Sequence, residues 1–160
     1  MSINKKKIGV LFVCMGNICR SPAAEAIFKR LITKKKQENY FVASCGIGDW
    51  HIGSLPDQRM QEVAKERGII LSSRAQQFRL HFFEEYDYIL VSDREVQKNL
   101  YAYAKKAEHQ TKIKLMTEYS ELYQGKEIPD PYYQPDQAFH LVIDMLEESC
   151  KKLLEHTCQR

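Results

Sequence analysis

Cys14 and Arg20 stand in one short stretch, VLFVCMGNICRSPAAEA from Val10 to Ala26, in which an apolar run ends on the thiol and a helical pattern opens just past the guanidinium. A loop of this length between strand and helix can turn its backbone N–H groups inward. With a helix N-terminus behind them, those groups suit a tetrahedral oxyanion. The loop residues are Met15, Gly16, Asn17, Ile18, Cys19 and Ser21. Gly16 permits a positive φ, and Asn17 is among the few other residues that tolerate it. Ser21 is expected to cap the helix, with Pro22 in its first position. Arg20 adds a planar fork that matches two phosphate oxygens. No Gly-Lys-Ser/Thr ends the loop, which excludes a nucleotide P-loop.

The thiol supplies the chemistry. An ordinary thiol, with pKa ~8.5, is only a few per cent ionised at pH 7. Bringing one to ~6 takes about 3.4 kcal/mol, whereas a helix terminus gives ~0.3–1 and at most ~2. Loop N–H groups, Arg20 and the Ser21 hydroxyl must supply the rest. A thiolate facing a bound phosphate can attack phosphorus and form a phosphocysteine. The plainer reading is a buried structural cysteine beside a surface arginine. Gly, Asn, Ser and Pro gathered with both residues in one strand-to-helix loop favour the anion site. Zinc is not expected, because Cys14 and Cys19 have no second Cys or His pair nearby.

A leaving oxygen needs a proton, and Asp130 in IPDPYYQP is the candidate donor. Prolines on both sides fix the direction of its carboxyl, and Tyr132 and Tyr133 can wall a slot beside it. On these residues alone, a turn aspartate with packing tyrosines is the competing reading. Trp50 and His51 fall in the loop after the second strand. Trp50 is a further candidate wall or a packing residue, and His51 is read as a rim or structural residue.

The elements that must position these groups alternate. Strands are expected at Ile8–Val13, Tyr40–Ser44, Tyr86–Val91 and Ile113–Met116, from short apolar runs. Helices are expected at Ala23–Leu31, at Pro56–Gly68 with Gly68 as its stop, from an Asp93 cap to about Lys105, and from about Pro135 to His156. No connection is a tight hairpin. The order predicts an α/β fold, a four-stranded parallel sheet flanked by helices on both faces. Ligands then bind beyond the carboxyl ends of the strands, where the Cys14–Ser21 loop lies. No repeat or linker interrupts residues 1–160, so one domain is expected.

Composition narrows the class. The chain carries 24 basic and 21 acidic residues, net +3, too balanced for a nucleic-acid binder. Lys5-Lys6-Lys7 and Lys34-Lys35-Lys36 read as a solvated tail and a helix end. No apolar stretch approaches the ~20 residues of a membrane span. Reading IGVLFVC as a signal peptide would sacrifice the strand that leads into the loop. Five cysteines without Cys-x-x-Cys spacing suit a reducing cytoplasm. Cys19, in the same loop as Cys14, is a candidate redox partner able to trap an oxidised Cys14 as a disulfide.

Taken together, the stretch around Cys14 and the DPYY at Asp130 resemble the signature and acid loop of the low-molecular-weight protein tyrosine phosphatases. SCGIGDWHIG and YDYILVSD resemble further segments of that family, so the likeness covers nearly the whole chain. The resemblance implies a cytoplasmic, metal-free and cofactor-free hydrolase acting on phosphotyrosine-containing protein, and a monomer is expected. It implies that Cys14 is the nucleophile, Arg20 the phosphate ligand and Asp130 the acid and then base. Ser21 would assist the leaving thiolate, Asn17 would hold the loop, and Trp50 would line the entrance. The chain departs from the family at Ser73-Arg74-Ala75-Gln76-Gln77, where many members carry His-x-Ala-Arg-Gln. Ser73 stands in for the histidine that supports the loop asparagine, leaving Ser44 to brace Asn17. Cys45 replaces a common alanine and Ser92 a common methionine. An arsenate reductase shares the scaffold, but would need resolving cysteines between Cys45 and Cys150, where there are none. A catalytically dead phosphate-binding module is the other alternative.

Overall fold

A computed structural model describes residues 7–158; Lys5 and Lys6 of the first basic run lie outside the described residues. Four strands, β1 (Ile8–Cys14), β2 (Tyr40–Gly46), β3 (Tyr88–Val91) and β4 (Ile113–Leu115), form a parallel sheet in the order β2-β1-β3-β4. Between and after them run α1 (Arg20–Lys34), α2 (Gln58–Glu66), α3 (Phe82–Glu85), α4 (Arg94–Tyr103), α5 (Ala107–Gln110) and α6 (Asp136–Cys158).

The strand period of two divides the core into two layers. Val10 and Phe12 of β1 face α1, α2 and α6, packing on Phe28, Met60, Val63, Phe139, Val142 and Leu146. Leu11 and Val13 face the other way, onto Phe82, Phe83, Val96 and Leu100. β1 is central and apolar on both faces, as its uninterrupted apolar run requires. Its last residue, Cys14, is level with Gly46 at the end of β2, so the thiol emerges at the carboxyl edge of the sheet.

Several boundaries differ from the sequence expectations, for local reasons. α1 begins at Arg20, with Cys19 in the cap position and no side-chain cap bond. Ser21 is therefore inside the helix rather than its cap, and Pro22 is the third helical residue, still within the turn that needs no backbone donor. Gly16 does not take a positive φ; Asn17 does, at 58°. α2 begins after Pro56 because the Asp57 carboxylate accepts from the Arg59 and Met60 amides, and Gly68, at φ +75°, closes it. β3 starts at Tyr88 rather than Tyr86, since the Tyr86 amide bonds Phe82 O and finishes α3. α3 and α5 are single turns without a legible period. Lys34 ends α1 as expected.

Candidate active site

Three chain segments meet at the carboxyl edge of the sheet and enclose a cleft of about 400 Å³. Cys14, Met15, Gly16, Ile18, Cys19 and Arg20 form its floor, and Trp50, His51, Asp130, Tyr132 and Tyr133 its walls and rim. The cleft thus brings together the three expected reacting groups and the three expected wall residues. His51, set aside on sequence grounds, also lines it. Asn17 and Ser21 do not reach the cleft; both are buried behind it.

The Cys14 sulfur is surrounded by donors. Ser21 Oγ lies 2.9 Å from Sγ, and the Asn17 amide donates to Sγ at 3.3 Å. Asn17 Nδ2 donates to Ser21 Oγ at 2.7 Å. With that acceptor site filled, the Ser21 hydrogen can go to Cys14 Sγ or to Cys45 O, 3.3 Å away. An ionised sulfur has no hydrogen to give, so Ser21 is then the donor. The serine that fails to cap α1 is thereby turned inward onto the thiol.

Asn17 is fixed from three sides, which is how a non-glycine residue is kept at positive φ. Its Nδ2 also donates to Ser44 Oγ at 3.0 Å, and its Oδ1 accepts the Gln76 amide at 2.9 Å. The expected Ser44 brace is present. The segment containing Ser73 contributes through the Gln76 backbone, and Gln76 Nε2 ties down Ser44 O at 3.0 Å. Behind Ser44 stands Glu25, which sequence reasoning missed; a lone glutamate on a helix carries no signal of burial.

Arg20 is 4% exposed. Its Nη1 donates to Asp93 Oδ2 at 2.6 Å and to Ile128 O at 3.0 Å. Its Nη2 is 3.8 Å from Asp130 Oδ2. Burial works against the charge, but Cys14 and the Asp93 bond outweigh it and hold the guanidinium firmly protonated. Asp93 caps α4 through Oδ1, accepting from Val96 N at 2.9 Å, and Ser92 Oγ donates to its Oδ2 at 3.3 Å. The cap was legible in the sequence, but the second oxygen's bond to Arg20 was not.

Asp130 sits at the mouth with its side chain 55% exposed, and its Oδ1 accepts the Tyr132 amide at 3.1 Å. Asp130 is thus a turn residue that also lines the cleft. Tyr132 is anchored by Arg59, whose Nη2 donates to Tyr132 O at 2.8 Å and whose guanidinium lies 5.5 Å from the ring centre. Tyr133 meets it edge to face and is 90% exposed. Opposite, Trp50 is 66% exposed, on a loop tied to the floor by Gly48 N donating to Met15 O at 2.9 Å.

Cys19 is buried on the floor. Burial first, then the charges of Asp57 and Cys14, push its thiol far above the usual range. All five cysteines are free. Among the described residues, the one cluster of potential metal-ligand side chains, Glu84, Glu108 and His109, lies outside this cleft.

A family model described as low molecular weight phosphotyrosine protein phosphatase matches residues 9–160. A low molecular weight phosphotyrosine protein phosphatase of Schizosaccharomyces pombe is 40% identical, covering 84% of this chain and 86% of its own. One from Sus scrofa is 36% identical, covering 91% and 93%. The crystal structure of a protein tyrosine phosphatase from Entamoeba histolytica superposes with a TM-score of 0.92 at 36% identity, covering 96% of this chain and 98% of that one.

Proposed function

Since the chain belongs to the low molecular weight phosphotyrosine protein phosphatase family and is a protein-tyrosine phosphatase, we propose that it hydrolyses its substrates through a phosphocysteine on Cys14. The observation that carries this reading is the Cys14 sulfur on the floor of the cleft, with Arg20 beside it and Asp130 above. The Cys14 thiolate attacks phosphorus and the bond to the tyrosyl oxygen breaks. Asp130, entering as the acid, gives that oxygen its proton. Arg20 Nη2 and the inward loop amides hold the equatorial oxygens as charge builds on them. Water then attacks the phosphocysteine, Asp130 takes its proton, and the thiolate leaves with the Ser21 hydroxyl donating to it. No metal or cofactor enters these steps.

Depth and walls set the choice of phosphoprotein. Trp50, Tyr132 and Tyr133 offer ring faces to a phosphotyrosine, each ring contact worth ~0.5–1.5 kcal/mol beyond area burial. A phosphoserine has a shorter stem, no ring and a poorer leaving group. The whole chain acts as one catalytic domain and as a monomer, and its free thiols fit a reducing cytoplasm. Among the described residues no helix is long and apolar enough to cross a membrane.

The test is hydrolysis of an aryl phosphate by the purified protein and by Cys14→Ser. Losing a nucleophile costs orders of magnitude, so the variant should fall below ~1% of wild type while still binding phosphate. Turnover above that level removes Cys14 from the role.

A further inference from the structure

Glu25 of α1 is a buried carboxylate, 5% exposed, with no part in the steps above. Its Oε2 accepts Lys29 Nζ at 2.5 Å, one turn along the helix. Its Oε1 accepts the Ser44 hydroxyl, also at 2.5 Å. Ser44 Oγ accepts one Asn17 Nδ2 hydrogen at 3.0 Å, and Ser21 Oγ accepts the other at 2.7 Å. Ser21 Oγ then lies 2.9 Å from Cys14 Sγ. The row ends on the nucleophile.

Hydroxyls give and take hydrogens, but the two fixed members of this row do not. An ionised carboxylate only accepts, and an amide nitrogen only donates. Ser44 is therefore obliged to point its hydrogen at Glu25 while it receives Asn17. Reverse Ser44 and a donor faces a donor, so the Asn17 amide is pushed away from Ser21. With Asn17 donating to Ser21, the Ser21 hydrogen is left for Cys14 Sγ or for Cys45 O, and an ionised sulfur at 2.9 Å outcompetes the carbonyl at 3.3 Å.

We propose that Glu25 is a positioning residue whose charge, held by Lys29, sets the direction of the Ser44–Asn17–Ser21 row so that its last hydrogen meets the Cys14 thiolate. The proposal rests on Cys14 being the nucleophile. It gives this chain a support for the loop asparagine that does not use the position of Ser73. Through space, the Glu25 charge would act on Cys14 in the opposite sense, by repulsion. Lys29 offsets that repulsion, and the other ionisable groups that feel Glu25, Cys45 and Tyr86, are kept neutral chiefly by burial.

The experiment measures iodoacetamide alkylation of Cys14, located by peptide mapping, in wild type, Glu25→Gln, Ser44→Ala and the double variant. Beside Lys29, a glutamine presents its oxygen to the ammonium and its NH2 to Ser44, which removes both the charge and the acceptor. At low pH, alkylation of Glu25→Gln and of Ser44→Ala is expected to slow about tenfold, since the thiolate is the reacting form. In both variants kcat should fall while KM stays close to wild type. The double variant should be no slower than Ser44→Ala, because the two residues act in series. An unchanged low-pH rate in Glu25→Gln overturns the proposal, as does a faster one, which would mean that repulsion dominates. Additive losses in the double variant overturn it too. If Glu25→Gln does not fold, an unchanged rate in Ser44→Ala is decisive. Failure of the nucleophile assignment looks different: Cys14→Ser would turn over, and alkylated wild type would stay active.

Discussion

Asp93 divides its two carboxylate oxygens between two tasks, and substitution can separate them. Oδ1 caps α4 and Oδ2 holds Arg20 Nη1 at 2.6 Å. Serine at this position keeps a good cap but is too short to reach the guanidinium. Alanine loses both. Breaking one partner of a fully buried ion pair costs ~3–5 kcal/mol. Here the Asp93 side chain is 17% exposed and Ile128 O still binds Nη1 at 3.0 Å, which lowers the expected cost for Asp93→Ser to about 2 kcal/mol. Asp93→Ala should lose about 1 kcal/mol more, the worth of the cap. Activity should divide differently. A lost charged hydrogen bond of ~1.5–3 kcal/mol on the residue proposed to hold the transferring phosphoryl group means a ten- to hundredfold fall in kcat/KM. That fall should be the same in both variants, because Arg20 is released in both. Urea denaturation and aryl phosphate kinetics measure the two quantities separately. Asp93→Ser at wild-type kcat/KM, or an activity loss that follows stability from Ser to Ala, would refute the claim that Asp93 aims Arg20.

Asp130→Asn should slow poor phenol leaving groups far more than activated ones, since only the former need a proton; equal losses across a phenol series would make Asp130 a turn residue only. Peroxide should inactivate the enzyme at Cys14 rather than at Cys19, whose burial keeps it a neutral thiol. Thiol should restore activity through a Cys14–Cys19 disulfide, and less completely in Cys19→Ser; peptide maps without that bridge after mild oxidation would end this reading. A Cβ on Gly48 would sit 1.9 Å from the Trp50 ring, so Gly48→Ala must lift the indole and should narrow the preference for phosphotyrosine over phosphoserine peptides as Trp50→Ala does; an unchanged preference in both variants removes Trp50 from the specificity wall. Cys19, Cys45 and Cys150 all have thiols raised chiefly by burial, so above pH ~9 the unfolded chain binds fewer protons than the folded one. Stability should then fall by about 1.4 kcal/mol per pH unit for each thiol, and a urea midpoint that stays flat between pH 9 and 10 contradicts the assignment.

What the sequence made legible was local. The Cys14–Arg20 loop, the Pro-flanked Asp130 and the alternating elements are each written within a few consecutive positions, and the loop and Asp130 both line the cleft. What escaped was pairing at a distance. Asp93 meets Arg20 across 73 positions and Ser44 meets Glu25 across 19, and a solvated carboxylate reads the same as a buried one in a single sequence. Ser21 misled for a related reason. Its residue type and its Pro22 neighbour fit a helix cap, but the Asn17 amide and the Cys14 sulfur compete for the same hydroxyl and take it inward. Of the two positions open to a positive φ, the loop uses Asn17 rather than Gly16, because three hydrogen bonds hold the Asn17 side chain.

The bond from Arg20 Nη1 to Ile128 O spans 108 positions, and it ties the phosphate ligand to the loop that carries Asp130. During synthesis the chain emerges from its N-terminus, so the thiol leaves the ribosome long before the carbonyl that seats the guanidinium. A nascent chain stopped between Asp93 and Ile128 has β1, the Cys14 loop and the Asp93 carboxylate that meets Arg20, but neither the Ile128 carbonyl nor Asp130. On the proposed mechanism such a fragment lacks the acid that protonates the leaving oxygen. The full set of proposed groups comes together only when the last third of the polypeptide has been made and has closed over the first.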